Sequence, residues 1–166
     1  TLSRNHVSND DKAFSANMDW AVKMVCILGI PAATGLIVLA EPMLLTIFER
    51  GEFTVMDATK ASYSLMAYAT GLLSFMLVKV LAPGFFSRQD TKTPVKYGIW
   101  CMAANMVFNL ILFYPLEHVG LALATAISAI VNASLLFYNL RKIGVFKPDG
   151  RWKIWFLKLA FANTIL

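Results

Sequence analysis

Four stretches of the chain carry no charged side chain: Met24 to Ala40, Ala61 to Val78, Tyr97 to Leu116 and Val119 to Leu140. Short polar segments separate them. Crossing the hydrocarbon core of a bilayer takes roughly 20 largely apolar residues in a helix, and each run, with its apolar flanks, approaches that length. Inside lipid the backbone must satisfy its own hydrogen bonds, which a helix does within one segment. The pattern therefore predicts an all-α fold, a polytopic transmembrane helical bundle forming a single region over 1–166. Its expected spans are 22–48, 58–81, 95–114 and 119–140, with a fifth starting at 154 and cut off at 166.

Polar and helix-breaking residues set the expected boundaries. Residues 1–23 read as a loop followed by an amphipathic lead-in through Phe14, Met18 and Trp20. Pro31 and Glu41-Pro42 lie inside the first span and predict a bend, because proline removes a backbone hydrogen bond. Glu49 to Thr54 reads as a polar turn, and Asp57 as the N-cap of the second span. Pro83-Gly84 is expected to end that span. Thr93-Pro94 predicts the next helix start, a hydroxyl cap followed by proline in the first turn. Pro115-Leu116-Glu117-His118 reads as a tight turn, which makes spans three and four a hairpin. The fourth span is rich in Ala, Ser, Thr and Gly, residues that let membrane helices approach closely.

Composition agrees with this picture. Of 166 residues, 58% are hydrophobic and 15% charged, against about 25% charged in soluble domains. The net charge of +5 would suggest nucleic acid as partner for a soluble protein. Here the positive charges sit in loops. Eleven basic residues fall in the segments around Arg4 to Lys23, Arg88 to Lys96 and Arg141 to Lys153, and only Arg50 and Lys60 lie on the other side. By the positive-inside rule the Arg88 loop and residues 141–153 are expected in the cytoplasm. Nucleic acid is excluded as a partner; membrane lipids are implied. The chain starts without Met and stops inside an apolar run, so it reads as part of a longer polypeptide, whose remainder is its first partner. Cys26 and Cys101 lie in apolar spans and read as packing residues. No phosphate loop, nucleophile elbow or metal-ligand cluster appears, so neither an enzyme nor a cofactor is expected.

Several residues have a bland and a functional reading. Lys79 is either a snorkelling lysine or a cavity charge that meets an anionic substrate. Arg88, Asp90 and Lys92 form either an ion-paired rigid loop or a gate. Glu41 either lines a wet cavity or marks a helix end. Asn105 and Asn109, four apart, share a helical face, and Thr125 can approach them across the hairpin. Such oxygens suit a hard cation or an interhelical hydrogen-bond pair. Ser128 and Asn132 read as packing polar groups.

The run Lys79-Val80-Leu81-Ala82-Pro83-Gly84-Phe85-Phe86-Ser87-Arg88-Gln89-Asp90-Thr91-Lys92-Thr93-Pro94 resembles the MviN/MurJ family of bacterial lipid II flippases. Arg50-Gly51-Glu52-Phe53-Thr54, Gly120 to Thr125, Asn132 to Leu136 and the opening Thr1-Leu2-Ser3-Arg4 are similar too. The resemblance implies a fourteen-helix inner-membrane transporter, of which this chain would hold helices nine to twelve and the start of thirteen. It implies lipid II, an undecaprenyl-linked peptidoglycan precursor, as substrate, moved by alternating access. It also implies coupling to sodium or to the membrane potential. Some members look to have a sodium site at places matching Asn105, Asn109 and Thr125, with an aspartate where this chain has Asn109. The alternatives are another exporter of the same superfamily, for drugs or lipid-linked polysaccharide, and a non-transporting membrane fragment.

Overall fold

A computed structural model describes residues 2–48, 54–144 and 152–165. Its elements are all helices: α1 (Leu2–Phe48), α2 (Val55–Phe86), α3 (Lys92–Lys142) and α4 (Trp152–Ile165). Three are long and apolar enough to cross a membrane, namely Ala13–Phe48, α2 and α3. α3 is not one rod. Glu117 has φ 48 and ψ −125, outside helical geometry, and the chain reverses there. Two contacts fix the register of the resulting limbs. Near the open end, Asn139 Nδ2 donates to Tyr97 Oη. Near the tip, a Cβ on Gly120 would run into the Leu112 carbonyl oxygen, so glycine permits the close approach there.

Packing follows side-chain size. The buried residues of α3 are mostly small: Gly120, Ala122, Ala124, Ala126, Ser128, Ala129 and Ala133. Its large apolar residues point outward, with Trp100, Met102 and Met106 each about two-thirds exposed or more. A soluble protein buries such groups; a bilayer accepts them. Gly71 of α2 meets this small-residue face, where an added Cβ would lie 2.8 Å from the Ala126 Cα. Toward the Arg88 end larger groups take over. Met18, Val22 and Cys26 of α1, Leu81 and Phe85 of α2, and Leu136 and Leu140 of α3 form one buried cluster. α4 lies along α1: Trp152, Trp155 and Leu159 pack against that cluster, and Asn163 Nδ2 donates to Thr34 Oγ1 at 2.8 Å.

Four boundaries differ from expectation. α1 is helical from Leu2 rather than from about Val22; no glycine or proline occurs before Gly29 to break it. It also continues through Pro31 and Pro42. The N-cap of α2 is Thr54, and Asp57 is its third residue. Thr54 Oγ1 accepts from the Asp57 N–H, and Asp57 Oδ2 accepts from the Thr54 N–H at 3.1 Å. This reciprocal box satisfies two orphan donors at once, which a cap at Asp57 alone would not.

α2 runs through Pro83-Gly84 to Phe86. Proline withdraws only its own N–H, and the Ser87 N–H still reaches the Pro83 carbonyl at 3.0 Å. Finally, α3 begins at Lys92 with Pro94 inside its first turn, earlier than a Thr93 cap would place it. The Asp90 carboxylate accepts from the Thr93 N–H at 3.0 Å. Thr91 holds the N-cap position without a side-chain bond of its own, and the Asp90 carboxylate one residue before it caps the Thr93 N–H instead. The expected turn at Pro115 to His118 coincides with the Glu117 break. The expected turn at Glu49 to Phe53 and most of the basic loop over 141–153 lie outside the described residues.

Candidate functional site

Three helical stripes border an open groove of about 370 Å³. α2 contributes Phe75, Val78 and Lys79. The first limb of α3 contributes Gly98, Cys101, Met102 and Asn105, and the second Thr125, Ser128, Ala129 and Asn132. Within each stripe the spacing is three or four residues, the repeat that keeps side chains on one helical face. Gly98 helps to keep the space open, since a Cβ there would meet nothing within 4 Å.

The lining is mostly apolar, with a few polar side chains from the α3 hairpin among it. Asn105 Oδ1, Ser128 Oγ and Asn132 Oδ1 are buried and have no hydrogen-bond partner among the described residues. Ser128 is only 5% exposed. Each of these oxygens has almost no accessible surface, so it belongs to the packing between the helices rather than to the open face of the groove. Thr125 spends its hydroxyl proton on the Leu121 carbonyl at 2.9 Å. Among the described residues no carboxylate borders the groove, and Lys79, whose side chain is exposed, is the one formal charge there. Pro83, four residues on, has no N–H to give the Lys79 carbonyl, which loosens the helix backbone beside this charge.

Of the residues singled out from sequence, Lys79, Asn105 and Thr125 thus come together. Asn109 stands one turn from Asn105 and, by the hairpin register, level with Thr125. It does not line the groove, and its Oδ1 is buried without a partner among the described residues. Arg88, Asp90 and Lys92 lie apart, in or beside the turn joining α2 to α3. That turn has a defined shape: the Arg88 and Asp90 N–H groups both reach the Phe85 carbonyl, at 3.0 and 3.1 Å, and Gln89 takes φ 60. Hydrogen bonds from Thr93 hold the Asp90 carboxyl below its ordinary range, with a smaller contribution from Lys92.

Glu41 belongs to the opposite end of the bundle. It is exposed, and Thr59 Oγ1 donates to its Oε1 at 3.4 Å. Thr59 and Lys79 are twenty residues apart on α2, about 30 Å of helix. Glu41 therefore shares no site with Lys79.

Cys101, Ser128 and Asn132, read from the sequence as packing residues, also border the groove, and Cys101 and Ser128 are buried as packing residues are. The usable signal was register: once the hairpin turn lies near Glu117, Asn105 faces Ser128 and Asn132, and three polar residues converge.

A family model described as Lipid II flippase MurJ matches residues 1–166. A probable lipid II flippase MurJ of Vibrio cholerae is 53% identical over 166 residues, covering 99% of this chain and 31% of that protein. A lipid II flippase MurJ of Burkholderia cenocepacia is 36% identical over 166 residues, covering 100% of this chain and 32% of that protein. A solved structure of lipid II flippase MurJ in an inward closed conformation matches with a TM-score of 0.80 at 28% identity. That match covers 96% of this chain and 33% of the other. The chain spans about a third of the length of these relatives.

Proposed function

The chain belongs to the MurJ family of lipid II flippases, and on that premise we propose that it forms part of a transporter that carries lipid II across the bacterial inner membrane by alternating access. The observation that carries this reading is the groove in which Lys79 stands beside Asn105, Thr125 and Asn132, in a bundle whose outer surface is apolar. A flippase must offer a polar route to a charged headgroup while its outside stays in lipid. Lys79 supplies the charge that draws the substrate's diphosphate, and the shaped turn holding Arg88 and Asp90, with Lys92 beside it, serves as the gate at that end. The protein acts as a carrier and forms no covalent intermediate.

The same reading assigns helices nine to twelve, and the start of thirteen, of a fourteen-helix protein to this chain. Each limb of α3 is about 25 residues, or about 37 Å of helix, enough to cross a core of about 30 Å. The excess of basic residues favours a cytoplasmic position for the Arg88 turn and residues 141–153. In the same reading transport is coupled to sodium or to the membrane potential.

The test uses the full-length protein in living cells. On its depletion, lipid II should accumulate inside and cease to be accessible at the outer face of the inner membrane. Unchanged accessibility, in a strain with no second flippase, overturns the reading.

A further inference from the structure

Three features that soften a helix fall between Pro31 and Gly35 of α1, inside the uncharged run Met24 to Ala40. Pro31 has no N–H to give the Ile27 carbonyl, and its ring crowds that oxygen. Thr34 Oγ1 donates to the Ile30 carbonyl at 3.0 Å, a back-bond of the kind that bends helices. Gly35 follows, with a helix propensity about 1 kcal/mol below that of alanine. The Thr34 hydroxyl also has a partner outside α1, since it accepts from Asn163 Nδ2 of α4 at 2.8 Å. A hydroxyl that accepts a hydrogen bond donates a stronger one, so the α4 contact reinforces the bond to Ile30. The two halves of α1 are held unequally. The first is anchored: Met18, Val22 and Cys26 belong to the buried cluster, Asp19 accepts from Trp152, and a Cβ on Gly29 would lie 2.9 Å from Leu73 Cδ1. The second carries the small buried Ala40 and meets α2 through the exposed bond from Thr59 Oγ1 to Glu41 Oε1, 3.4 Å long.

We propose that α1 carries a hinge at Pro31 to Gly35, about which its second half swings, and that Asn163 of α4 sets the hinge through Thr34. With the Asn163–Thr34 bond made, the Thr34 hydroxyl holds the Ile30 carbonyl and α1 keeps one bend angle. When α4 withdraws, that hold weakens, the angle changes and the Glu41–Thr59 link parts. The position of α4 and the angle of α1 therefore bias each other, as linked equilibria must. A change of about 20°, the size of a sharp kink, moves Phe48, about 25 Å beyond Pro31 along the helix, by about 9 Å. A proline that only fixes a static bend does none of this. The inference concerns a motion of the protein itself, so it stands or falls independently of the transport reading above.

The test uses the full-length protein, free of lipid II and of its native cysteines. Spin labels at Phe48→Cys and Tyr114→Cys, both exposed positions, report the distance from the end of α1 to the α3 hairpin by double electron–electron resonance. With the hinge residues intact, two distances several ångströms apart should appear. Pro31→Ala with Gly35→Ala should leave one, and Asn163→Ala should change the proportions of the two. A single distance with the hinge intact, or two that persist without Pro31 and Gly35, overturns the hinge. Unchanged proportions in Asn163→Ala overturn the role of α4. Hydrogen exchange of the wild-type protein needs no variant and decides the matter if these do not fold. Residues 32–38 lie level with residues 63–70 of α2, because Gly29 meets Leu73 and Glu41 meets Thr59. Their amides should exchange several-fold faster than those of α2. Equal rates overturn the proposal.

Discussion

Trp152 donates its indole N–H to Asp19 Oδ1 at 2.6 Å, joining positions 133 residues apart. The other oxygen of Asp19 takes Lys23 Nζ at 2.5 Å, and that ammonium lies 5.7 Å from the centre of the Trp152 ring. One carboxylate, one cation and one indole therefore fasten the start of α4 to α1. Hydrogen bonds to charged groups contribute about 1.5–3 kcal/mol. Trp152→Phe, which keeps the ring and removes the donor, should lose about that much stability in denaturant melts of the full-length protein. It should also slow disulfide crosslinking between Thr34→Cys and Asn163→Cys in a background lacking Cys26 and Cys101. Unchanged crosslinking would mean that α4 is held by other contacts.

Two glycines should respond in opposite ways. At Gly71 a side chain meets the Ala126 backbone at 2.8 Å, which cannot move aside without shifting a helix. Gly71→Leu should cost about 1–3 kcal/mol or more, as overpacking does. At Gly98 the space is open, and alanine has the better helix propensity by about 1 kcal/mol. Gly98→Ala should be neutral or raise the melting temperature. Comparing the two midpoints checks both.

Asp90 gives a pH dependence of definite sign. Its folded-state pKa is lowered by the Thr93 hydrogen bonds. The cap therefore contributes fully above the unfolded carboxylate value of about 4 and is lost as pH falls through the folded value. Hydrogen exchange in the first turn of α3 should speed up in Asp90→Asn relative to wild type at neutral pH. The two proteins should converge at a pH below the folded value. A difference that persists there would point to a cause other than the charge.

Arg88→Glu reverses a charge in the turn between α2 and α3. In the full-length parent it should abolish complementation of a depleted strain while leaving membrane insertion and protein level unchanged, as read by growth and immunoblot. Normal growth would remove this turn from the transport cycle.

The helices were legible because uncharged runs and proline–glycine punctuation are local signals. The turn at Glu117 was legible for the same reason. The starts of α2 and α3 were misread by a few residues: α2 is capped by Thr54 with Asp57 reciprocating from the first turn, and α3 by Thr91, which makes no side-chain bond that would mark it. Pro83-Gly84 looked like a terminus, yet one missing N–H is a small loss in a helix packed on both sides. The groove was half legible: Asn105 and Thr125 stood out, while Ser128 and Asn132 looked like ordinary glue between membrane helices. The Trp152–Asp19 contact could not be read at all. Nothing in the spacing of residues 133 apart encodes their meeting; it depends on where α1 and α4 lie in the finished bundle.

The single non-helical residue at Glu117 also bears on how such a chain enters a bilayer. With so short a turn between them, the two limbs of α3 are expected to enter the lipid together, as a helical hairpin. Asn105, Ser128 and Asn132 then face one another, rather than acyl chains, from the moment of insertion. A segment with that much polar surface is admitted to the membrane because its partner limb arrives with it, and biogenesis therefore depends on the same turn that aligns the groove.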